Sequence, residues 1–187
     1  MSENSRYLAE GPRVGLRPFT YDDEAEFLAR VRESKDLHRP WLFPPDSPDA
    51  YHAYAGRLIE DPTKAGFLVC EKDGGGIAGF ININNIVAGS FLNGTLGYGV
   101  FAHAAGRGLM GEGLALVVAH AFTTLGLHRL EINAQPGNAA SIALARRCGF
   151  RLEGSRRTSC TSTEPGGTTS AGRSRRPALA ELALRRG

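Results

Sequence analysis

Residues 96–114 constrain this chain more than any other stretch. An apolar run, L-G-Y-G-V-F, passes through Ala102 and His103 into a glycine-rich turn, A-A-G-R-G-L-M-G-E-G-L. The run reads as a strand, and residues 109–125 read as a helix that stops at Gly126. A strand that enters a helix through such a turn leaves the first helical N–H groups unpaired at the positive end of the dipole. That end is a seat for a phosphate or pyrophosphate. An ordinary strand-to-helix turn has the same local pattern, so the turn alone does not separate a ligand site from a plain connection.

Farther along the chain come N-A-A-S at residues 138–141 and C-G-F at residues 148–150. With Gly106 and Gly108 in the turn and H-R-P-W-L-F-P-P at residues 38–45, the chain resembles the GNAT superfamily of N-acetyltransferases. The likeness is to their RimJ/RimL-type branch, which acetylates protein N-termini. The family motif Q/R-x-x-G-x-G/A falls on residues 105–110, with Ala105 in place of Gln or Arg and Met110 in place of a small residue. The resemblance covers residues 12–154. It implies an α/β (α+β) fold with a mixed, mostly antiparallel central sheet, splayed at the cofactor site and flanked by helices.

Composition agrees with one such domain. A chain of 187 residues with 42% hydrophobic content can bury one core. No segment has the roughly 18 apolar residues of a membrane span, and M-S-E-N-S-R is not a signal pattern, so a cytoplasmic protein is expected. Cys70, Cys148 and Cys160 form no C-x-x-C pair, which argues against zinc and for small packed residues. Residues 155–187 hold seven Arg and two Glu, a balance of +5; the overall +3 therefore leaves residues 1–154 at −2. A mildly acidic body suits a basic acceptor and not a nucleic acid.

The remaining elements alternate. A strand is expected at residues 13–18 and a helix from Thr20, with Phe27, Leu28 and Val31 on one face. Residues 35–49 carry four prolines and read as an extended loop. A helix at residues 48–59 comes next, then two strands, 66–72 and 77–85, joined by D-G-G-G. A strand at 129–134, a helix at 141–148 and a strand from 150 complete the domain at residue 154. Such an order suggests a mixed sheet covered by helices.

Residues 155–187 read as a separate, disordered tail of Ser, Thr, Gly, Pro and Arg, without strand periodicity. The family expects a final hairpin there. Read one base earlier, the codons of residues 159–173 permit L-H-I-D-G-A-W-R-D-H-E-R-W-A, so the tail is expected to be a frameshift product. Loss of that hairpin would leave a sheet edge uncovered.

Acetyl transfer to an amine needs no protein nucleophile; the amine attacks the thioester once both are held in line. The backbone N–H groups of Arg107, Gly108, Leu109, Met110 and Gly111, after Gly106, are the expected pyrophosphate ligands, with the Arg107 charge beside them. The resemblance has Val100 and Phe101 pairing with the pantetheine amides of acetyl-CoA and Asn138 touching the same arm. It puts Ser141 near the sulfur, as acid for the departing thiolate or only as a helix-start hydroxyl. Glu131 is the nearest acidic candidate for the base, or else a surface carboxylate, because Asn82, Asn84 and Asn85 cannot accept a proton. Trp41, Phe43, Tyr51 and Tyr54 either edge the acceptor site or pack into the core.

The expected enzyme is an acetyl-CoA-dependent N-acetyltransferase, monomeric or homodimeric, acting on a protein N-terminal α-amine such as that of a ribosomal protein. A small amine, an aminoglycoside or a polyamine, is the rival acceptor. A non-catalytic acyl-CoA-binding or inactive protein is the rival of a different class.

Overall fold

The computed structural model describes residues 6–156 and 179–185. Its strands and helices run, in chain order, β1 (Ala9–Glu10), β2 (Val14–Pro18), α1 (Glu24–Glu33), α2 (Lys35–His38), α3 (Pro48–Glu60), β3 (Ala65–Glu71), β4 (Ile77–Val87), β5 (Asn93–Val100), α4 (Leu109–Thr123), β6 (Arg129–Ala134), α5 (Ala139–Arg147), β7 (Arg151–Arg156) and β8 (Leu179–Arg185). Single turns of 3-10 helix at Tyr21–Asp23 and Ala102–Ala104 lead into α1 and out of β5. The strands form one eight-stranded sheet in the order β1-β2-β3-β4-β5-β6-β8-β7. Every neighbouring pair is antiparallel except β5 with β6.

Local chemistry accounts for the element starts. Thr20 and Asp23 satisfy each other's backbone in a capping box ahead of α1. Ser47 accepts a bond from the Ala50 N–H, and Pro48 occupies the first turn of α3. Residues 35–49 are therefore not one extended loop: Lys35–His38 closes a short helix before the proline run.

Two apolar clusters lie on opposite faces of the sheet. Val69, Ile81, Ile83, Leu96 and Ile132 pack with Leu114, Val117 and Ala121 of α4. Phe80 and Phe101 pack with Phe27 of α1 and Tyr51, Ala55 and Leu58 of α3. Because both faces are covered, Ile77–Ile83 is buried without alternation.

The sheet is splayed at one place. The parallel ladder of β5 with β6 spans only Asn93–Leu96 against Arg129–Ile132, while β5 runs on to Val100 and β6 to Ala134. Two strands that diverge from a shared ladder leave a gap with backbone polar groups on its edge.

The tail departs from the sequence reading. Strand β7 continues to Arg156, and Leu179–Arg185 enters the sheet between β6 and β7, pairing with Arg129–Ala134 and Arg151–Arg156. Leu182 is fully buried in the α4-side cluster, so part of the expected disordered tail covers the edge of β6. Leu182 and Leu184 supply that apolar face. Residues 159–173, on which the frameshift reading rests, and Cys160 lie outside the described residues. Among the described residues, no helix is long and apolar enough to cross a membrane.

Candidate active site

The gap between β5 and β6 opens into a cavity of about 730 Å³. Its floor is Tyr98, Gly99 and Val100; one wall comes from α2 and the segment after it, the other from Asn138 and α5. Strand alternation decides which backbone groups face it. The Phe101 N–H donates to Ala78 O at 2.9 Å on the β4 side. The amide and carbonyl of Val100 are thereby turned to the gap. The Val100 carbonyl accepts from His38 Nε2 at 2.8 Å. Phe101 does not share this position; its ring is fully buried in the α1/α3 cluster.

At the far end lies the glycine turn. Gly106 and Gly108 adopt φ of 74° and 77°, a region open to glycine and strained for other residues. Nothing lies within 4 Å of a Cβ built on Gly106, so an incoming ligand can approach its backbone. Gly108 is the N-cap of α4 and supplies no capping side chain. The first N–H groups of α4 therefore have no cap side chain to answer them. Glu112, in the first turn, is engaged elsewhere: it accepts from the Arg13 and Val14 N–H groups at 2.7 and 3.1 Å. Arg13 in turn donates to Arg107 O at 2.9 Å, which fixes the turn from behind.

Several expected ligands stand elsewhere. Arg107 points its guanidinium at Glu71, with bonds of 2.9 and 2.7 Å, and does not line the cavity. Leu109 is buried in the core and enters the site only through its backbone. Met110 and Gly111 do line the cavity, as does Arg147, a cation the sequence reading overlooked. Arg147 is the one guanidinium among the lining residues.

The opposite end carries the candidate acid. Asn138 Oδ1 caps α5 by accepting the Ser141 N–H at 3.1 Å. Ser141 Oγ lies 2.9 Å from the Tyr98 hydroxyl, which also donates to the Ser141 carbonyl at 3.0 Å. Burial pushes the Tyr98 phenol up, against the pull of its Ser141 bond. Tyr98 was legible from alternation, two residues before Val100 on the same strand face.

Glu131 stands outside the cavity, paired with Arg129 at 2.8 Å; Arg129 also binds Glu153. An ion pair across one strand surface holds it from the gap, so the structure does not place it as a base. His38, the first residue of the H-R-P-W-L-F-P-P segment but not among the expected site residues, is 5% exposed and lines the cavity. Its Nδ1 is buried without a partner. Burial lowers its pKa, outweighing the Val100 bond, so the ring is neutral near pH 7.

The aromatic candidates separate. Trp41 lines the cavity and reaches across to Gly137. Phe43, 71% exposed, lies in an adjoining cavity of about 290 Å³ that shares His38 and Leu42 with the first. Tyr51 is core, its hydroxyl bonded to Thr20 O at 2.8 Å. Tyr54 packs on Phe19 and Phe80, and its hydroxyl accepts from Asn82 Nδ2. Cys70 is buried and Cys148 half-buried, and burial raises both thiols. Among the described residues, no group of His, Cys, Asp or Glu could hold a metal.

The model of the Acetyltransferase (GNAT) domain matches residues 13–151. The chain belongs to the GNAT acetyltransferase family. It is an N-acetyltransferase, and acetyl-CoA is its cosubstrate. The [Ribosomal protein uS5]-alanine N-acetyltransferase of Escherichia coli is 32% identical over 163 residues, covering 79% of this chain and 84% of that protein. Mycobacterium smegmatis RimJ in complex with CoA-disulfide superposes with a TM-score of 0.78 at 23% identity, covering 94% of this chain and 86% of that one. Spermidine N-acetyltransferase from Vibrio cholerae, in complex with CoA and spermine, superposes at 0.73 with 16% identity, covering 94% and 96%. At those identities the two structures speak for the fold.

The residues present suit acetyl-CoA. The β5 edge at Val100, past the end of the β6 ladder and with its carbonyl held by His38, matches an amide-bearing arm, and the open turn at Gly106 with the uncapped α4 matches a pyrophosphate. Arg147 supplies positive charge on the same lining.

Proposed function

We propose that this GNAT enzyme acetylates the α-amine of a protein N-terminus, such as that of a ribosomal protein. The observation that carries this reading is the lack of a strong base where transfer takes place: no carboxylate is among the residues that line the cavity. A polyamine nitrogen, close to a lysine amine in pKa, would need such a base. An α-amine asks for less. Its pKa is near 8, about two units below that of a lysine amine, so water can take its proton without a strong base. The relationship to the uS5-alanine enzyme of Escherichia coli supports the same acceptor class.

In this reading acetyl-CoA supplies an activated acyl carbon, held in the β5–β6 gap. The Val100 edge and the α4 N-terminus orient it, with Arg147 nearby. The acceptor nitrogen attacks that carbon directly, and the C–S bond breaks. Ser141, held by Tyr98 and by the Asn138 cap, gives the departing sulfur its proton, and the proton that leaves the acylated nitrogen restores Ser141 through water.

The test is free-CoA release with acetyl-CoA and either an alanine-initiated peptide or spermidine. The reading expects kcat/KM for the peptide to exceed that for spermidine by about a hundredfold or more, some 2.7 kcal/mol of differential transition-state binding. Equal or reversed values would overturn it in favour of the small-amine acceptor.

A further inference from the structure

The donor cavity reaches β5 at its gap edge, so an acceptor needs another route to the same strand. The sheet offers one on its α1/α3 face. Gly97 and Gly99 leave two bare positions there, and only one is filled: a Cβ at Gly99 would strike Leu42 and Phe80. A Cβ at Gly97 would meet nothing nearer than Asn84 Nδ2 at 3.8 Å. Gly97 immediately precedes Tyr98, whose hydroxyl holds Ser141 on the gap side. The open position and the residue that holds the candidate acid are thus neighbours on one strand.

Directly across from Gly97 in the ladder is Asn82. It is 7% exposed, and its Oδ1 has no hydrogen-bond partner. A buried amide oxygen left unpaired is uncommon in a native fold and calls for an explanation. Its other end is committed, since Nδ2 donates to the Tyr54 hydroxyl. That hydroxyl, already an acceptor, keeps its own proton to donate, and burial pushes its pKa up to about 12, so the proton stays. Asn82 and Tyr54 together present one acceptor and one donor.

A peptide N-terminus has the matching pair, an amine that donates and, two bonds along, a carbonyl that accepts. A polyamine has donors only. We propose that Asn82 and Tyr54 form the acceptor subsite. Asn82 Oδ1 takes a hydrogen bond from the α-amine, Tyr54 donates to the first peptide carbonyl, and the peptide enters over Gly97. This rests on the α-amine reading above and deepens it.

The test uses two conjugates, CoA joined through an acetyl bridge to the α-amine of an alanine-initiated peptide, and CoA joined likewise to spermidine. Calorimetry gives the affinity of each, and of CoA itself, for wild type, Asn82→Ala and Tyr54→Phe. The peptide arm is expected to tighten binding to wild type by about tenfold or more over CoA, and Asn82→Ala to reduce that gain to less than about threefold. CoA alone should bind all three proteins within about twofold. A peptide gain that survives in Asn82→Ala overturns the proposal. Tyr54→Phe keeps the ring packing, so if Asn82→Ala fails to fold, an undiminished gain in Tyr54→Phe overturns it instead. A gain for the spermidine conjugate alone overturns the α-amine reading and the Tyr54 contact; Asn82 then stands only if Asn82→Ala abolishes that gain.

Discussion

Tyr98 Oη lies 2.9 Å from Ser141 Oγ, although the two residues come from elements on opposite sides of the splayed gap. One hydroxyl pair therefore spans the place where β5 and β6 separate, and it ties the start of α5 to the strand that holds the donor. The same contact aligns Ser141 for proton delivery and limits how far the gap can open.

Tyr98→Phe and Ser141→Ala should both lower kcat, Ser141→Ala by about a hundredfold and Tyr98→Phe by about tenfold, since general-acid contributions run from there upward. The affinity for acetyl-CoA should change by less than about threefold in each. Steady-state kinetics with parallel calorimetry checks this. A Ser141→Ala enzyme with unchanged kcat would leave Ser141 as a structural hydroxyl.

Arg147→Ala should weaken acetyl-CoA binding by about tenfold, and the difference should shrink as salt rises, because the lost interaction is between charges near the surface. Arg107→Ala should weaken it by less than about threefold, since that guanidinium is spent on Glu71. Titrations at low and high ionic strength distinguish the two arginines.

The bidentate pair of Arg17 with Asp23, at 2.8 and 2.6 Å, sits under the start of α1. Burial works to raise the Asp23 pKa, but the bonds from Arg17 and Thr20 outweigh it and hold the carboxyl below its usual range. A lowered carboxylate pKa gives stability that is complete above about pH 4 and is lost as pH falls through the folded value. Asp23→Asn should cost about 3 kcal/mol at pH 7, roughly 10 °C in Tm, and should flatten the acid dependence. Denaturant melts across pH 2–7 measure both.

His38 predicts a second acid limb. Its pKa is depressed by burial, so the neutral ring's contribution is complete above about pH 6.5 and is lost as pH falls through the folded value. His38→Gln, which can still donate to Val100 O, should remove that limb while retaining activity at pH 7 within about fivefold. Melting curves of the two proteins between pH 4 and 7 give the comparison; parallel pH dependences would contradict it.

The glycine turn was legible because positive φ at Gly106 and Gly108 leaves a local signature that no distant contact is needed to explain. The Asn138 cap was legible for the same reason. Arg107 was not: its partner Glu71 lies on another strand, and no spacing along the chain announces that pair. Val100 and Phe101 could not both face the gap, and alternation alone would have separated them and pointed to Tyr98. Strand β8 escaped notice because L-A-E-L-A-L comes after a polar stretch and has no partner until β6 and β7 exist. The orphaned Asn82 Oδ1 is likewise a property of packing, visible only once Tyr54 has taken the other end of the amide.

Amide hydrogen exchange with and without saturating acetyl-CoA tests the placement of the donor most directly. New protection is predicted at the amides of Tyr98 and Val100 and through Gly106–Glu112, with β2 and β3 unchanged. Protection confined to other segments, or none at a concentration where calorimetry shows binding, would contradict a donor held in the β5–β6 gap.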